Sequence, residues 1–476
     1  MPDRSATSSA EAYFVSALWQ GLAGRDAVPA SLTFTGSGNL SSAFCVSPLA
    51  AAVTGVAGVA AAEFISAQAG VMPDVQVDRR LASHWFRSSV EPIDWSLPEL
   101  WDSVAGVYAC ADGWIRLHTN APHHRVAALT VLGLADTSTL PVARQQVAAA
   151  IHAWHKSELE QAIVKQGGCA AAMLSAQQWQ EHPQGQAVAA EPLIDFGPNR
   201  PTSIRYRREE FSLARPLTGI RVLDLTRVLA GPVATRLLAG LGAEVLRLDP
   251  PDWNEPAVLP DVTVGKRCAR VDLKSRAGRA VFEALLADAD VLVHGYRSDA
   301  LDRLGLGSDY RQRVVPGLVD VCLNAYGWSG PWRERRGFDS LVQMSSGIAH
   351  AGMLGFNKQA PFPLPVQALD HATGNLMAAA VLRGLTEQVL TGCVRTARLS
   401  LARTAVLLSD GPAGDHSDTL ARVTAADQEA KFEHTSWGAL KRTRFPLQLA
   451  GVDISWALPA GELGSSEPHW LSSVPR

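Results

Sequence analysis

The stretch VLDLTRVLAGPVATRLLAGLGAEVLRLDPP, residues 222–251, has the pattern of a strand, a turn, a helix and a second strand. The first apolar run leads into a turn of small residues, and the second run ends at Asp249. Dinucleotide-binding units start in the same order, but their turn carries the glycine pattern G-x-G-x-x-G. Here the turn RVLAGP has a single glycine, followed directly by Pro232. The pattern predicts a nucleotide-binding type of fold and leaves its ligand open.

Apolar strands and helical spacing alternate along the chain from Ile220 onward. The predicted strands are 220–225, 243–249, 269–273, 290–296 and 318–327, with helices at 232–242, 276–288 and 298–305. This alternation predicts an α/β fold, a Rossmann-like parallel sheet covered by helices on both faces. Ligands of such sheets bind beyond the carboxyl ends of the strands. The turns near 227–231, 249–256, 271–275 and 294–299 are therefore expected along one edge.

The 476 residues are enough for several domains. We predict four segments: a helical N-terminal segment (1–95), a small α+β domain (96–212), the Rossmann-like domain (213–408), and a linker with a C-terminal return segment (409–476). In the small domain, two alternating apolar runs flank Asp112-Gly113, which is a strong hairpin signal. Helical patterns follow, and Gly167-Gly168 break a helix before a short strand. The smaller domain thus precedes the larger one, and residues 209–219 make a plausible linker.

A weak internal repeat relates residues 47–86 to residues 370–408. Each copy has a helix of small residues, a glycine break at Gly70 or Gly392, and an alternating amphipathic stretch. Aligning the two glycines places Asp370 opposite Ser47 or Pro48. The second copy therefore has a carboxylate where the first has none.

The bulk composition is that of a soluble globular protein, with 47% hydrophobic and 19% charged residues. A net charge of -3 gives no electrostatic reason to expect nucleic acid or an anionic membrane as a partner. We find no run of about 18 apolar residues and no secretory layout at the N-terminus. The six cysteines show no C-x-x-C spacing, and His123, His124 and His182, expected at the surface, show no metal spacing. We therefore expect a reduced, cytoplasmic protein without a metal site.

Four stretches, in order and spacing, resemble the class III CoA-transferases of the CaiB/BaiF type, which include formyl-CoA and carnitine CoA-transferases and α-methylacyl-CoA racemase. They are residues 216–251, 265–278, 289–307 and 324–350. Residues 106–190 resemble the small domain of this family, and RTRFPLQLAGV (442–452) its closing segment. The small domain follows the large one in the family and precedes it here. The resemblance therefore implies a permuted member, or a fused pair that has lost one large domain.

The resemblance implies that the turn at 227–232 holds coenzyme A. By family position, Leu229 and Ala230 line the pantetheine path, and Arg303 and Lys274 supply cations for phosphate. The residues flanking the adenine and phosphates are Val271, Asp272, Leu273, Lys274, Gly295, Tyr296 and Arg297. Those approaching the thioester are Arg336, Gly337, Phe338 and Asp339. Pro250 stands where relatives can carry a phosphate-binding arginine, and YRSD (296–299) replaces the FRPG that is common in the family.

The same resemblance makes Asp370 the nucleophile. It precedes a helix that we expect to begin near His371–Gly374, whose amides would keep a carboxylate ionised. The implied reaction passes through an aspartyl mixed anhydride and an aspartyl-CoA thioester. Backbone amides of residues 345–355, with three glycines, are candidates for stabilising the oxyanions. From spacing alone, Asp370 could instead be only an N-cap.

The implied function is transfer of CoA from an acyl-CoA to a free carboxylic acid, without a tightly bound cofactor. One alternative is a 2-methylacyl-CoA racemase. In that branch of the family the acid that corresponds to Asp339 follows a histidine and works with a second histidine in proton transfer, whereas here Phe338 precedes Asp339. A second is a catalytically degenerate CoA-binding subunit, and a weaker one is a nicotinamide-dependent oxidoreductase. Asp339 could also be a structural acid that closes a turn. Family dimers interlock, so the resemblance implies a homodimer.

Overall fold

The computed structural model describes residues 9–24, 27–136, 141–202, 211–415 and 418–471. The predicted linker at 209–219 falls partly outside these ranges. The N-terminal segment combines three helices with three short strands. These elements are α1 (Ser9–Ala23), β1 (Leu32–Thr35), α2 (Val46–Ala69), β2 (Val75–Asp78), α3 (Arg79–Trp85) and β3 (Val90–Pro92).

Residues 96–202 begin with the predicted hairpin. The elements are β4 (Gly106–Cys110), β5 (Gly113–Leu117), α4 (Pro122–Val131), α5 (Arg144–Ile151), α6 (Lys156–Lys165), β6 (Ala170–Ala172), α7 (Ala176–Glu181), α8 (Pro183–Ala190), β7 (Asp195–Phe196) and β8 (Arg200–Pro201). Cys110 pairs with Gly113, so Ala111 and Asp112 form the turn, one residue earlier than predicted. The short strand predicted after Gly168 is present as β6, which pairs with β5.

The large domain alternates strands and helices as predicted. Its elements are β9 (Arg221–Leu225), α9 (Ala230–Gly240), β10 (Glu244–Asp249), α10 (Leu259–Val262), β11 (Lys266–Arg270), α11 (Arg276–Ala287), β12 (Val291–His294), α12 (Ala300–Arg303), α13 (Ser308–Val314), β13 (Val319–Asn324), α14 (Asp339–Ser345), α15 (Ile348–Gly355), α16 (Ala368–Thr391), β14 (Cys393–Val394), β15 (Ala397–Ser400) and α17 (Leu401–Ser409). The C-terminal return adds β16 (Glu433–Thr435), β17 (Gly438–Arg442) and β18 (Leu447–Leu449).

A seven-stranded sheet with strand order β11-β10-β9-β12-β13-β15-β7 forms the centre of this domain. The first six strands are parallel, and β7 pairs antiparallel with β15 at the edge. Numbered by their place in this domain, the parallel strands run 3-2-1-4-5-6, which is the Rossmann order. The order reverses between β9 and β12, and ligands of such sheets bind in the crevice at that reversal. The Rossmann-like fold is therefore confirmed, with its crevice beside the turn that follows β9.

The predicted strand at 269–273 is displaced: β11 spans Lys266–Arg270. A strand predicted from apolar residues leaves out a lysine, yet the side chain of Lys266 is fully buried in β11. Its ammonium group lies 3.2 Å from Asp224 Oδ2 and donates to the Thr235 hydroxyl at 2.6 Å. A buried charge that is paired and hydrogen-bonded in this way is tolerated.

The two copies of the internal repeat are neighbours in space, since α2 packs against α16. Both helices have 24 residues and end at a glycine with a left-handed backbone, Gly70 (φ 71°) or Gly392 (φ 64°). Gly70 is followed by β2 and α3, and Gly392 by β14, β15 and α17, so the two segments have a similar order of elements. Counting back from the glycines aligns Asp370 with Pro48.

By length and composition α2 could cross a membrane, so the sequence expectation that no apolar run is long enough was wrong for Val46–Ala69. Within the fold, 94% of its most apolar window is buried, which is also what the core helix of a soluble protein shows. The sheet formed by β1, β2 and β18 packs against it. Such burial makes the helix weak evidence for a membrane span.

The N-terminal and C-terminal segments pair with each other. Strand β18 pairs antiparallel with β2, and β17 pairs antiparallel with β3. Residues 195–201, which we assigned to the small domain, contribute β7 to the large sheet and β8 to a pair with β14. Shared sheets thus join the N-terminal segment to the C-terminal segment, and the end of the small domain to the large domain.

Replacing Gly58 by alanine should destabilise the protein, because α2 approaches its sheet closely at this residue. A Cβ atom at position 58 would lie 2.5 Å from Leu447 Cδ1 and 2.8 Å from Val75 Cγ1. Overpacking of this kind lowers the free energy of unfolding by about 1–3 kcal/mol. Urea denaturation of the variant and of the intact protein measures this difference. As a control, Gly355→Ala lies in α15, where the nearest atom is 3.4 Å away. An equal loss in both variants would contradict the assigned close packing.

Candidate active site

A buried hydrogen-bond network shapes the turn after β9. Asp224 Oδ1 accepts from the backbone amide of Thr226 at 2.9 Å and from its hydroxyl at 2.5 Å. Asp224 Oδ2 accepts from the Thr235 hydroxyl at 2.5 Å and faces the ammonium group of Lys266. The single glycine, Gly231, is required by packing, because a Cβ there would lie 2.2 Å from Thr226 Cγ2. It therefore serves the contact between strand and helix.

The same turn holds Val228 in a left-handed conformation, with φ at 65°. A β-branched residue rarely adopts this conformation, which costs about 1–3 kcal/mol and is concentrated at functional sites. The Val228 amide donates to Glu255 Oε2 at 2.9 Å, and Arg247 holds the other oxygen of Glu255 at 2.6 Å. Val228 and the next residue, Leu229, both line the cavity beside the turn.

Asp339 is the first residue of α14 and is buried. One of its oxygens accepts from the backbone amides of Leu369 at 2.8 Å and Asp370 at 3.0 Å, and the other accepts from the side-chain amide of Gln343. Burial raises the pKa of Asp339, although these hydrogen bonds and the Arg116 guanidinium act in the opposite direction. Through the two amides that it accepts, the Asp339 carboxylate stabilises the N-terminus of α16, where the helix dipole is positive.

Asp370 is the third residue of α16, so the helix begins at Ala368, earlier than predicted. The N-cap position belongs to Gln367, and Asp339 accepts the first free amides, so Asp370 is not the N-cap. Burial raises the pKa of Asp370 well above its usual value, and the neighbouring Asp339 carboxylate raises it further. The expectation that helix amides keep Asp370 ionised was wrong, because those amides bind Asp339. Two carboxyls in one buried place disfavour double ionisation, and of the two Asp370 is the more readily protonated.

Two adjoining cavities meet beside these carboxyls. The first, of about 300 Å³, we call the turn cavity. It is lined by Val228, Leu229, residues 253–258, His118 and both aspartates, among others. The second, of about 610 Å³, we call the inner cavity. It is lined by residues 86–88, Arg116, Gln343 and residues 363–367, among others. Leu229, Ser340 and Gln367 line both cavities and form part of their common wall.

Several buried polar atoms around the two cavities have no hydrogen-bond partner in the described chain. They are Arg116 Nε, His118 Nδ1, Ser340 Oγ and Gln367 Oε1. Buried polar groups in folded proteins are nearly all paired, and exceptions call for an explanation such as a ligand. Their concentration at the two cavities indicates that the site is built to hold a polar molecule.

Four residues, 336–339, are expected from the sequence near the thioester. Two of them line the turn cavity and two do not. Phe338 and Asp339 line the turn cavity, and Phe338 stacks on His118 with ring centroids 3.7 Å apart. Gly337 packs against Tyr326 and Ala325, where a Cβ would come within 2.7 Å of either residue. Arg336 is exposed, and its guanidinium lies 3.4 Å from the Gly167 carbonyl oxygen. Ala230 is buried as the first residue of α9.

The residues identified for the adenine and phosphates lie along the edge where the parallel strands end. Val271 to Lys274 follow β11, and Gly295 to Arg297 follow β12. Lys274 is exposed, and Arg303 is 69% exposed with its guanidinium 2.6 Å from Asp299. The fold thus places these candidates on one edge, as predicted, with both cations available to solvent.

Arg227 is a candidate that sequence reasoning missed. Its guanidinium lies over the rings of Trp253 (4.7 Å) and Tyr296 (5.2 Å), and donates to the Tyr296 hydroxyl at 3.2 Å. These residues follow β9, β10 and β12, so Arg227 occupies the crevice at the strand-order reversal. Its position within RVLAGP was visible in the sequence, but the two aromatic rings are brought to it by the fold alone.

The expected oxyanion segment, residues 345–355, is placed elsewhere. Most of it forms α15, and Gly352 approaches the Phe362 carbonyl so closely that a Cβ would lie 2.0 Å from that oxygen. Neither cavity beside Asp370 is lined by residues 345–355. Its glycines serve helix packing, and the proposed role in oxyanion stabilisation was wrong.

His124 is buried, contrary to expectation, with its Nε2 atom 3.5 Å from Cys169 Sγ. Burial lowers the pKa of His124 to about 3, so its ring is neutral. His182 caps α8 by accepting from the Gln184 amide at 3.0 Å. Over the part of the chain that the structure describes, no group of three or more His, Cys, Asp or Glu side chains could hold a metal ion.

Residues 217–438 match the model of CoA-transferase family III. An acyl-CoA transferase of Gibberella moniliformis is 28% identical over 310 residues, which are 61% of this chain and 53% of that protein. Mouse succinyl-CoA:glutarate CoA-transferase is 34% identical over 191 residues, 37% of this chain and 43% of that protein. A crystal structure of Rv3272 from Mycobacterium tuberculosis is 33% identical and covers 40% of this chain and 55% of that one, with a TM-score of 0.38.

The chain thus spans about half the length of the curated relatives that it matches. The matched residues include the turn after β9, the sheet edge and both aspartates of the site. Through these residues the chain is similar to CoA-transferase family III.

Proposed function

We propose that this protein transfers coenzyme A from an acyl-CoA thioester to a free carboxylic acid, with Asp370 as the covalent nucleophile. The observation that carries the proposal is the Asp370 carboxyl itself, buried in the wall of a cavity that begins at the turn after β9. The family match and the names of relatives, such as succinyl-CoA:glutarate CoA-transferase, support the reaction class. The oxidoreductase alternative has no comparable support.

The reaction consists of acyl exchanges at one carboxylate. Ionised Asp370 attacks the thioester carbonyl, forming a mixed anhydride and releasing the CoA thiolate. The thiolate attacks the aspartyl carbonyl, giving an aspartyl-CoA thioester and the free donor acid. The acceptor carboxylate attacks this thioester, and the thiolate then attacks the acceptor carbonyl, which yields the new acyl-CoA and restores Asp370. Dividing the exchange in this way replaces one difficult step by easier ones.

The residues around Asp370 have distinct tasks in these steps. Asp339 holds the first amides of α16 and thereby fixes the backbone that carries Asp370. The Ser340 hydroxyl lines the cavity and has no hydrogen-bond partner among the described residues, so it can donate a hydrogen bond to the oxygen of a reacting carbonyl. Donors aimed at developing negative charge are among the strongest contributions to catalysis.

Coenzyme A reaches this site from the edge of the sheet. Leu229 lines the turn cavity, and Arg227, Lys274 and Arg303 supply cations near the crevice for its phosphates. Arg303 is largely exposed, so its ion pair with Asp299 is screened by solvent and a phosphate can displace the carboxylate. The adenine would lie along residues 271–274 and 295–297. Donor, acceptor and CoA all leave the protein, so the reaction uses no tightly bound cofactor.

A second candidate function, racemisation of a 2-methylacyl-CoA, is favoured by His118. Its ring lines the same cavity as Asp370, and burial lowers its pKa so that it is a neutral base. In this reaction His118 and an aspartate would move the proton on the carbon next to the thioester. Incorporation of deuterium from solvent at that carbon, without any acceptor acid, would favour it. CoA binding without either reaction would instead identify a non-catalytic CoA-binding protein.

The expected homodimer and cytoplasmic location stay predictions. The chain already pairs two copies of a helix–strand–helix unit through α2 and α16. Light scattering on the full chain distinguishes a monomer that satisfies such contacts internally from a dimer that repeats them between protomers.

Replacing Asp370 by asparagine should abolish the covalent intermediate, because an amide cannot form the anhydride. Transfer should fall by at least about 1,000-fold, as for the loss of other covalent nucleophiles. The measurement is mass spectrometry of the protein mixed with a panel of acyl-CoA donors, seeking a CoA adduct on residue 370. Asp309→Asn, at a side chain that is 98% exposed, is the matched control. Undiminished transfer by the Asp370 variant would overturn the mechanism.

Transfer should rise with pH across the neutral range, because burial and Asp339 raise the pKa of Asp370 and only its ionised form attacks. Asp339→Asn removes the neighbouring negative charge while keeping one carbonyl oxygen for the amides of α16. The pKa of Asp370 should therefore fall, and the profile of kcat/KM against pH should move to lower pH. A profile that stays in place would show that Asp339 does not control the protonation of Asp370.

A further inference from the structure

The inner cavity contains a partly buried cation, Arg116, that the steps above do not use. Arg116 lies on β5, between Ile115 and Leu117, which point into the core of the small domain. Because side chains alternate along a strand, Arg116 points to the opposite face and lines the inner cavity. Its guanidinium stacks over the ring of Trp101 at 4.6 Å, which orients the planar group.

The charges around this cavity favour an anion. Arg116 and Arg87 line it, with Arg87 exposed. Asp261 also lines it, but its carboxylate is already paired with the guanidinium groups of Arg236 and Arg442. Burial lowers the pKa of His371 to about 3, so this ring adds no charge. Burial also lowers the pKa of Arg116 to about 10, which leaves it a cation at neutral pH.

Among the residues that the structure describes, no carboxylate forms an ion pair with Arg116 within 4 Å. Asp339 attracts it electrostatically, yet the oxygens of Asp339 accept from Gln343 and from the amides of α16. The Nε atom of Arg116 is buried without a hydrogen-bond partner in the described chain. A partly buried guanidinium with an unused Nε donor is suited to bind a carboxylate through two parallel hydrogen bonds.

We propose that the inner cavity binds the acid chain of the substrate and that Arg116 recognises a second carboxylate on it, so that the preferred substrates are dicarboxylic acids. This inference rests on the proposed function. One carboxyl of the acid reacts at Asp370, beside the wall formed by Ser340 and Gln367. The other carboxylate lies in the adjoining cavity against Arg116, and Arg87 attracts it from the entrance.

The test measures binding of free acids to the full chain by calorimetry, without CoA, so that no transfer takes place. The probes are succinate, glutarate and adipate, each compared with the monocarboxylic acid of the same carbon number. The intact protein should bind at least one diacid about 10-fold or more tightly than its monoacid partner, as expected for a charged hydrogen bond. Arg116→Met should remove this preference and leave monoacid binding unchanged.

Arg144→Met is the matched control. Arg144 lies in the same small domain and stacks over Tyr108 at 4.9 Å, but it lines neither cavity. This variant should keep the diacid preference. Monoacid binding and thermal unfolding show whether the Arg116→Met variant is folded. If that variant misfolds, Arg116→Lys replaces it in the test and should keep part of the preference for diacids.

The inference is overturned if the intact protein binds diacids no better than monoacids, or if Arg116→Met weakens both kinds of acid equally. Weaker binding of CoA itself by that variant would assign Arg116 to the carrier and also overturn it. Because neither the acid-binding nor the CoA-binding measurement contains an acyl-CoA donor, these results do not depend on transfer activity. Failure of the Asp370 adduct, with diacid preference intact, would refute the transfer mechanism alone.

Discussion

The carboxylate of Asp339 accepts hydrogen bonds from the first backbone amides of α16, and the geometry of the site follows from this interaction. The amides at the start of a helix carry partial positive charge, and a carboxylate that satisfies them is stabilised. Asp339 lies on α14, so the interaction joins two helices and sets Asp370 beside a second carboxyl. Two acids so close in a buried place cannot both ionise readily, and Asp370 carries the higher pKa.

This arrangement depends on a long buried helix. Helix α16 packs against α2, α9 and the strands of the large sheet, and nearly all of its first twenty residues are buried. Gly374 allows the approach to α9, since a Cβ there would lie 2.3 Å from the Ala230 carbonyl oxygen. The start of α16 is therefore held against the turn after β9, which brings a carboxyl on one element beside Val228 and Leu229 on another.

Much of the large domain could be predicted from periodicity. The strands at 221–225, 244–249, 291–294 and 319–324 are apolar runs. Apolar strands that alternate with amphipathic helices indicate a buried parallel sheet and are compatible with few other folds. The strand containing Lys266 was misplaced because its burial depends on Asp224, which is distant in sequence. Likewise, the glycines of residues 345–355 suggested free amides, whereas the fold uses them for close helix packing.

The sequence by itself determined the alternation of strands and helices, the paired helices that end at Gly70 and Gly392, and the identity of the acids at 339 and 370. These features are local, since they depend on residue type and spacing within one segment. Only the tertiary structure decided which acid meets the amides of α16, which residues line the two cavities, and that Arg116 and Arg227 stack on aromatic rings. Those outcomes depend on contacts between segments far apart in the chain, and neither residue type nor local spacing encodes them.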